Sequence, residues 1–251
     1  MDFYFAVSDE GRYVEELKAS RCNLLSFYYQ EPKTNELIKR SPLAIIDSGA
    51  FTYLVRHKKS RPTLSNIEEY TEGYIEYMKM FAPNVRYMEL DLDVIIGIEK
   101  VEQIRTRMER ALGRQCIPVF HKQRGLDYWK RMCDEYDYVA IGSMVDYKNR
   151  EDILQGLIDI AHKKNTKVHG LGYTPRDLKS TLGFDSTDSS SCFQGGRYVH
   201  FCYFNGFKIC SKSKPEGKKS IHYKLIDRHN ISEWLKYQKA LERVVLWQPK
   251  K

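Results

Sequence analysis

Short apolar runs alternate along this chain with longer segments in which apolar residues recur every three or four positions. Runs of the first kind predict β-strands, and segments of the second kind predict amphipathic helices. The strand-like runs are LLSFYY (24–29), LAIIDSG (43–49), VRYMELDLDV (85–94), CIPVF (116–120), YVAIGSM (138–144) and KVHGLGY (167–173). The helical segments are NIEEYTEGYIEYMKMF (66–81), IEKVEQIRTRMERALG (98–113), GLDYWKRMCDEY (125–136) and REDILQGLIDIAHKKN (150–165).

This alternation predicts a parallel sheet in a single α/β domain over residues 1–251. The units fit a (β/α)8 barrel of the TIM type, with an open doubly wound sheet as the alternative. No G-x-G-x-x-G motif follows the first strand, which argues against a dinucleotide-binding fold. We expect a further helix over 174–183, opened by Thr174 and Pro175. A lysine-rich segment (208–224) and a C-terminal helix (231–246) are appendages, and the helix is expected to dock on the barrel.

Polar residues and glycines gather where the predicted strands end. In a (β/α)8 barrel the carboxyl ends of the strands form the face that carries chemistry. The residues at or just after these ends are Asp47, Ser48, Asp91, Asp93, His121, Gly142, Ser143, Gly170, Gly172 and Asp188. We therefore predict that carboxylates, a histidine and accessible backbone meet at one rim.

The stretch LGFDSTDSSSC (182–192) places two aspartates three residues apart among small, hydroxyl-bearing residues. Serine, threonine and aspartate favour turns, so an exposed loop is one interpretation. The other is that a carboxylate is presented to a ligand that bulky neighbours would exclude. Residues three apart on an extended strand point to opposite faces, so only one of Asp185 and Asp188 should face the rim.

The composition indicates a cytoplasmic protein with affinity for polyanions. Hydrophobic residues make up 42% of the chain, yet it contains no membrane-spanning apolar run and no signal-peptide pattern. The formal net charge of +8 favours nucleic acid as a partner. Lysines in the segment 208–224 would neutralise phosphates while nearby aromatic rings stack on bases. The predicted nucleic-acid contacts are Arg197, Lys208, Lys212, Lys214, Lys218 and Lys219.

The six cysteines do not predict a metal or redox site, because none of their spacings is C-x-x-C. Cys202 and Cys210 would lie close together if they flank a hairpin. Reduced, partly buried thiols are the simpler interpretation.

Five of these segments, in this order, resemble motifs of the tRNA-guanine transglycosylase family, over about residues 43–198. IIDSGAF resembles the D-S-G-G/S-F strand end of that family, and MELDLD resembles the segment with its second aspartate, matched by Asp91. YVAIGSM is similar to the A-I-G-G turn, with Ser143 replacing the second glycine, and VHGLGYTPRDL is similar to G-x-G-x-P-x-D-L. LGFDSTDSSSC aligns without a gap to the segment that carries the nucleophile, with Asp188 at its position.

The resemblance implies a (β/α)8 barrel that exchanges guanine in a nucleic acid for a 7-deazaguanine, with no cofactor and no metal. Asp188 would be the nucleophile, and Asp47 would transfer the proton. The glycines would leave room for the base, and an aromatic ring would stack on it. The substrate-binding residues implied are Ser48, Phe51, Asp91, His121, Gly142, Ser143, Gly172, Tyr173 and Asp185.

The sequence also departs from the tRNA enzymes. It lacks their C-x-C-x-x-C…H zinc spacing after the barrel, it shows no C-terminal RNA-binding domain, and Thr52 stands where the family has glutamine. It looks more like the shorter phage- and island-encoded 7-deazaguanine DNA transglycosylases. We therefore expect DNA as the partner, in the host cytoplasm if the protein is phage-encoded, and the 7-cyano base as the free substrate.

Three alternatives stay open. The first is the same exchange on tRNA, as one subunit of a heteromer. The second is a barrel that binds nucleic acid without catalysis. The third is a metal-dependent hydrolase built on Asp91, Asp93 and His121, which the ligand spacing disfavours. The sequence leaves open whether the chain forms a homodimer or binds a partner protein.

Overall fold

A computed structural model describes residues 1–7, 11–57, 62–193, 200–213 and 222–244. At its centre lie eight strands: β1 (Asp2–Val7), β2 (Cys22–Ser26), β3 (Leu43–Asp47), β4 (Arg86–Tyr87), β5 (Val119–Phe120), β6 (Tyr138–Ile141), β7 (Lys167–Gly170) and β8 (Ser186–Ser189). All are parallel and form one sheet in the order β4-β3-β2-β1-β8-β7-β6-β5. Two of them differ from the sequence prediction, since β1 lies outside the six predicted runs and β8 contains only serine, threonine and aspartate.

The two edges of this sheet meet. Met88, directly after β4, forms a parallel bridge with Ile117, just before β5. The Ile117 N–H donates to the Tyr87 carbonyl at 2.8 Å, and the Glu89 N–H donates to the Ile117 carbonyl at 3.1 Å. The strands therefore curl into a TIM-like barrel, and the predicted α/β fold is confirmed at that level.

Helices cover most of the connections between strands. They are α1 (Val14–Leu17), α2 (Pro32–Arg40), α3 (Ala50–Arg56), α4 (Leu64–Met78), α5 (Asp93–Ile96), α6 (Ile98–Leu112), α7 (Leu126–Glu135), α8 (Glu151–Lys163) and α9 (Tyr223–Leu241). The four predicted amphipathic segments correspond to α4, α6, α7 and α8, and their apolar stripes are buried. Neighbouring helices also bond to each other, since the Trp129 indole of α7 donates to the Leu157 carbonyl of α8 at 3.0 Å.

The connection from β7 to β8 contains no helix, so the helix expected over 174–183 is wrong. Its backbone groups bond elsewhere. The Leu178 N–H donates to the Phe207 carbonyl at 3.1 Å, and the Ile209 N–H donates to the Arg176 carbonyl at 2.7 Å. Gly183 ends the segment at a φ of +84°, a left-handed conformation that glycine tolerates. Pairing across the chain has replaced the local hydrogen bonds that a helix would need.

Alternate residues of the strands point into the barrel. The inward-facing apolar residues are Tyr4, Cys22, Leu24, Ile45, Met88, Ile117, Val119, Tyr138 and Ala140. Residues paired across neighbouring parallel strands point to the same side, as Leu24 and Ile45 do. Asp47 lies two residues beyond Ile45, and Asp188 is paired with Tyr4. Both carboxylates therefore face the interior, at the carboxyl end of the barrel.

A hairpin and the last helix pack on the outside of the barrel. The hairpin strands β9 (His200–Phe204) and β10 (Ile209–Ser213) are antiparallel. Trp234 of α9 stacks on Phe3 of β1 with ring centroids 5.2 Å apart, and the Gln238 amide donates to the Phe3 carbonyl at 2.7 Å. The C-terminal helix does dock on the barrel, but it starts at residue 223 and ends at 241, rather than spanning 231–246.

All six cysteines carry free thiols, and five of them are buried. In the hairpin, Cys202 lies opposite Ser211 and Cys210 lies opposite Tyr203, so the two thiols are near each other without being cross-linked. None of the helices in the described part of the chain has both the length and the apolar composition needed to cross a bilayer.

The stacked pair of Trp234 and Phe3 predicts a large loss of stability when the indole is removed. Trp234→Ala is expected to lower the free energy of unfolding by about 3–5 kcal/mol, because a fully buried ring leaves a cavity. Leu225→Ala, on an exposed part of the same helix, is expected to change it by less than about 0.5 kcal/mol. Urea denaturation of both variants gives the comparison, and equal losses would contradict the described docking of α9.

Candidate functional site

Three carboxylates from separate strands converge at the carboxyl rim of the barrel. Asp47 is the last residue of β3, Asp188 lies in β8, and Asp91 follows β4. Burial raises the pKa of Asp47 to about 7, and the negative charges of Asp91 and Asp188 add to that effect. Because the charges of Asp91 and Asp188 both act on the Asp47 carboxyl, the three carboxylates belong to one site.

The backbone of the D-S-G turn holds Asp47 in place. The Gly49 N–H donates to Asp47 Oδ2 at 3.0 Å. Gly49 has a φ of +75°, and a Cβ there would lie 2.8 Å from the Tyr28 Cβ and 2.9 Å from the Tyr70 hydroxyl. Glycine is therefore required twice, for its conformation and for the space. Ser48, between Asp47 and Gly49, is fully buried, and its carbonyl accepts a hydrogen bond from the Tyr70 hydroxyl at 2.7 Å.

Asp91 is tied to a histidine and a serine. His121 Nε2 lies 2.9 Å from Asp91 Oδ2, and His121 Nδ1 lies 3.1 Å from Ser143 Oγ. Burial raises the pKa of Asp91, and the hydrogen bond and charge of His121 oppose this effect. Burial also opposes protonation of His121, but its bond to Asp91 outweighs burial and raises the pKa of the imidazole. Asp91, His121 and Ser143 thus form a second polar unit on the rim, opposite Asp188.

Gly142 lies against the side chain of His121. A Cβ at this position would lie 2.7 Å from His121 Cε1 and 3.0 Å from Val119 Cγ1. The space that a Cβ of Gly142 would take is therefore occupied by the imidazole, so the glycine allows His121 to pack against the backbone. Ser143, with a φ of +52°, follows directly and reaches the same imidazole.

A buried ion-pair network supports the segment that carries Asp91. Glu89, fully buried, accepts from Arg105 at 2.9 Å, from Arg124 at 2.8 Å and from the Val119 N–H at 2.8 Å. Arg124 also donates to Asp93 at 2.9 Å. Asp93 thus belongs to this ion-pair network, whereas Asp91 belongs to the rim.

Asp188 is held through one of its two oxygens. Its Oδ1 accepts from the Gly172 N–H at 2.8 Å and lies 3.2 Å from Nε2 of the fully buried His169. Gly172 adopts a φ of +69°, the left-handed conformation that turns its N–H toward the carboxylate. No hydrogen bond reaches Oδ2 from the residues that the structure describes. That oxygen is the one left to react or to bind a ligand.

Asp185 does not join the site, and its assignment to substrate binding is corrected. It precedes β8 and lies at the amino end of the barrel. Its Oδ2 accepts from the Val168 N–H at 2.8 Å and lies 3.0 Å from His162 Nε2. Extended backbone turns two residues three positions apart to opposite faces, so the placement of Asp188 at the rim excludes Asp185.

The two predicted stacking residues are placed differently. Phe51 lies on α3, directly after the Asp47 turn, and its side chain is 79% exposed. Tyr173 packs against Phe184 with ring centroids 5.0 Å apart, and its hydroxyl donates to the Ser180 carbonyl at 2.7 Å. Phe51 is thus the ring available at the rim, while Tyr173 stabilises the connection between β7 and β8.

An aromatic cleft of about 770 Å³ adjoins the Asp47 turn. The rings that line it belong to Phe27, Tyr28, Tyr53 and Tyr70. The sequence analysis missed this cleft, although Tyr28 and Phe27 are part of the first predicted run. The signal available was that the run continues past the last strand residue with three aromatic residues in succession.

The basic residues predicted to bind nucleic acid lie partly within the described structure. Lys208 and Lys212 are exposed on the hairpin, and the Lys212 ammonium lies 5.3 Å from the centre of the Tyr203 ring. A bridge between Asp177 and Lys208 connects the hairpin to the β7–β8 connection, which also carries Gly172. The other predicted contacts lie outside the described residues: Arg197, Lys214, Lys218 and Lys219.

The structure does not support the alternative of a metal centre at Asp91, Asp93 and His121. In the described ranges no group of three or more histidine, cysteine, aspartate or glutamate side chains is arranged to hold a metal ion. Asp93 is bonded to Arg124 instead.

Comparisons with known proteins do not identify a family. No family model matches the sequence. No curated protein matches it either. Among solved structures, the carboxyl transferase domain of Rhizobium etli pyruvate carboxylase aligns with the whole chain at a TM-score of 0.43 and 10% identity, and the chain spans 49% of that structure.

The raised pKa of Asp47 predicts that Asp47→Asn stabilises the protein at alkaline pH. In the unfolded chain this carboxyl ionises near its ordinary pKa of 3.8, but in the folded chain at about 7. Between these values the unfolded state binds fewer protons, so the wild-type free energy of unfolding falls as pH rises. One pH unit between the two pKa values is worth about 1.4 kcal/mol, so the variant is expected to gain up to about 4 kcal/mol at about pH 8 and nothing below pH 4.

Urea denaturation across this pH range measures the difference between Asp47→Asn and the wild type. Asp127→Asn is the matched control, because the Asp127 side chain is 100% exposed and should leave the pH profile unchanged. A gain from Asp47→Asn that does not vary between about pH 5 and about pH 8 would contradict the raised pKa.

Proposed function

We propose that the protein is a transglycosylase that replaces guanine in DNA with a 7-deazaguanine, such as the 7-cyano base, through a covalent aspartyl-glycosyl intermediate. The observation that carries the proposal is the orientation of Asp188. One of its oxygens is held by two neighbours, the other accepts no hydrogen bond from the described residues, and the same rim carries Asp47 and Asp91. A carboxylate nucleophile facing a proton-transferring carboxyl is the arrangement that retaining glycosyl transfer requires.

The first half of the reaction removes guanine. The target nucleotide leaves the base stack, because its C1′ atom is inaccessible inside a duplex. Asp188 Oδ2 attacks C1′, the bond from C1′ to the base breaks, and its electron pair goes to guanine. Asp47 in its protonated form gives its proton to the departing base, which leaves as neutral guanine. The small residues around Asp188 give the sugar room to approach.

The second half installs the new base. The ring N–H of the incoming 7-deazaguanine gives its proton to the Asp47 carboxylate, and that nitrogen attacks C1′. The ester bond between C1′ and Asp188 breaks, and its electron pair returns to the carboxylate. A pKa of about 7 suits Asp47 to both halves, because it is comparably populated as acid and as base at neutral pH.

Recognition of the base falls to the other side of the rim. Asp91, oriented by His121, accepts hydrogen bonds from the amidine-like edge that guanine and 7-deazaguanine share. Ser143 extends this unit, and the buried hydroxyl of Ser48 has no partner among the described residues and borders the Asp47 turn. Phe51, exposed beside that turn, is the ring that stacks on the base.

DNA is the proposed partner. Lys208 and Lys212 lie on a hairpin that a bridge connects to the β7–β8 connection, and this supports a role of their charges in binding the phosphates of a DNA strand. The cysteine spacing lacks the zinc-binding pattern of the tRNA enzymes. We place the reaction in the cytoplasm that contains that DNA, and we regard the barrel, hairpin and α9 as one functional unit.

The proposal predicts incorporation of labelled 7-cyano-7-deazaguanine into duplex DNA. Wild type is incubated with the label and either DNA or unmodified tRNA, and Asp188→Asn and Asp185→Asn are assayed beside it. Asp188→Asn keeps the shape of the side chain but removes its charge, so exchange is expected to fall at least about 10³-fold. Asp185→Asn is expected to retain exchange, because that carboxyl lies at the other end of β8.

Each outcome of this assay decides between the functions considered. Label in DNA that is lost only in Asp188→Asn supports the proposal, and a DNA–protein adduct stable to denaturant, formed without free base, identifies the intermediate. Label in tRNA alone would move the activity to tRNA. Binding of DNA without label would indicate a non-catalytic barrel. Loss of exchange in Asp185→Asn but not in Asp188→Asn would overturn the assignment of the nucleophile.

A further inference from the structure

A column of polar side chains runs through the otherwise apolar interior of the barrel and ends at Asp188. Tyr138 of β6 is hydrogen-bonded to Ser186 of β8. Ser186 Oγ lies 2.6 Å from His169 Nδ1, and His169 Nε2 lies 3.2 Å from Asp188 Oδ1. His169 and Ser186 are paired across β7 and β8, so both point inward. We refer to these four residues as the interior relay.

The chemistry of each group fixes the direction of the hydrogen bonds. An ionised carboxylate only accepts, so a hydrogen bond to the Asp188 carboxylate requires a proton on His169 Nε2. An imidazole with its single proton on Nε2 accepts at Nδ1, and in that tautomer the Ser186 hydroxyl is the donor. Ser186 in turn accepts from the phenol of Tyr138, and burial raises the pKa of Tyr138 well above its ordinary value, so the phenol keeps its proton. All donors of the interior relay therefore point toward Asp188.

The His169 ring is surrounded mainly by aromatic side chains. The edge of the ring faces Tyr4 of β1, with centroids 5.9 Å apart, and Tyr138 of β6, at 6.4 Å. The side chain is fully buried, so no solvent competes for its nitrogen atoms. A buried polar ring is costly unless both nitrogen atoms are bonded, and here Ser186 and Asp188 satisfy them.

We infer that His169 is a positioning residue for the nucleophile, held by Ser186 and Tyr138 as the tautomer with the proton on Nε2. Together with the Gly172 N–H it confines Oδ1 of Asp188 and leaves Oδ2 as the attacking oxygen. This inference rests on the proposed function and extends it. It assigns a role to a buried histidine that touches neither the sugar nor the base.

The inferred arrangement serves both halves of the exchange without moving a proton along the relay. When Oδ2 forms the ester, Oδ1 becomes its carbonyl oxygen and still accepts both hydrogen bonds. When the ester breaks, the electron pair returns to a carboxylate that two donors already stabilise. Hydrogen bonds to a charged acceptor are stronger than those to a neutral one, so the donors favour departure of Asp188 from C1′.

Kinetics of three variants test the inference. His169→Leu removes the donor to Oδ1 and is expected to lower kcat roughly 100-fold, with an unchanged KM for the free base, because misplacement of a reacting group affects the chemical step. His169→Gln offers an amide N–H at a similar position and is expected to recover about a tenth or more of wild-type kcat. His162→Leu breaks the corresponding pair with Asp185 at the other end of β8 and is expected to lower thermal stability alone.

Nitrogen-15 spectra of the wild-type protein test the tautomer independently of activity. Histidine-selective labelling, with His169→Gln identifying the signal, is expected to give a protonated Nε2 and an unprotonated Nδ1 at neutral pH. Ser186→Ala is expected to shift the Nδ1 resonance and to lower kcat about 10-fold. An imidazolium or the opposite tautomer would overturn the inference, as would wild-type kcat in His169→Leu.

The two tests separate this inference from the proposed function. If the wild type exchanges no base, the proposed function fails, and the nitrogen-15 spectra still decide whether the relay is directed toward Asp188. If the wild type exchanges base and His169→Leu does so equally well, only the positioning role fails.

Discussion

Mutual repulsion of Asp47, Asp91 and Asp188 is the constraint that the rest of the rim accommodates. Each carboxylate is compensated by a donor from its own surroundings: the Gly49 N–H for Asp47, His121 for Asp91, and Gly172 with His169 for Asp188. Within the described ranges Asp47 forms no ion pair with a cationic side chain. Burial and the negative charges of Asp91 and Asp188 raise the pKa of Asp47 to about 7, and Asp47 is the group whose proposed task is to gain and lose a proton.

The compensating donors explain where the glycines lie. Gly49 and Gly172 present N–H groups to carboxylates in left-handed conformations, and Gly142 leaves space for the imidazole that holds Asp91. From the sequence alone, a glycine at a strand end that donates its N–H to a carboxylate cannot be told from one that leaves space for a side chain. The contacts that a Cβ would make distinguish a glycine that donates an N–H from one that leaves space for a neighbouring side chain, and the sequence does not contain this information.

The sequence predicted the barrel class and the three rim carboxylates because both follow from local patterns. Most strand ends were marked by apolar runs, and the side-chain period of a strand predicted that only one of Asp185 and Asp188 faces the rim. The choice of Asp188 came from the ungapped alignment with the family that the chain resembles. The sequence analysis did not predict the interior relay. No apolar residue in β8 marks it as a strand, and His169 lies in a run that was interpreted only as a strand followed by a glycine turn. The helix expected over 174–183 failed because the hairpin, about 30 residues later, takes up its backbone groups. Such pairings depend on distant parts of the chain, which local propensity does not include.

The pairing of β1 with β8 also determines when the barrel can form. Asp2 is paired with Ser186, and Gln238 donates to the carbonyl of Phe3 across 235 residues of chain. During synthesis at about 5–20 residues per second, the first strand emerges roughly ten seconds or more before its second neighbour. Until β8 is synthesised one edge of β1 remains unpaired, and the ring of Phe3 remains uncovered until Trp234 follows. The nascent chain therefore presents an unpaired strand edge and an uncovered aromatic ring until β8 and α9 have been synthesised, and chaperones that bind extended apolar segments can act in that interval.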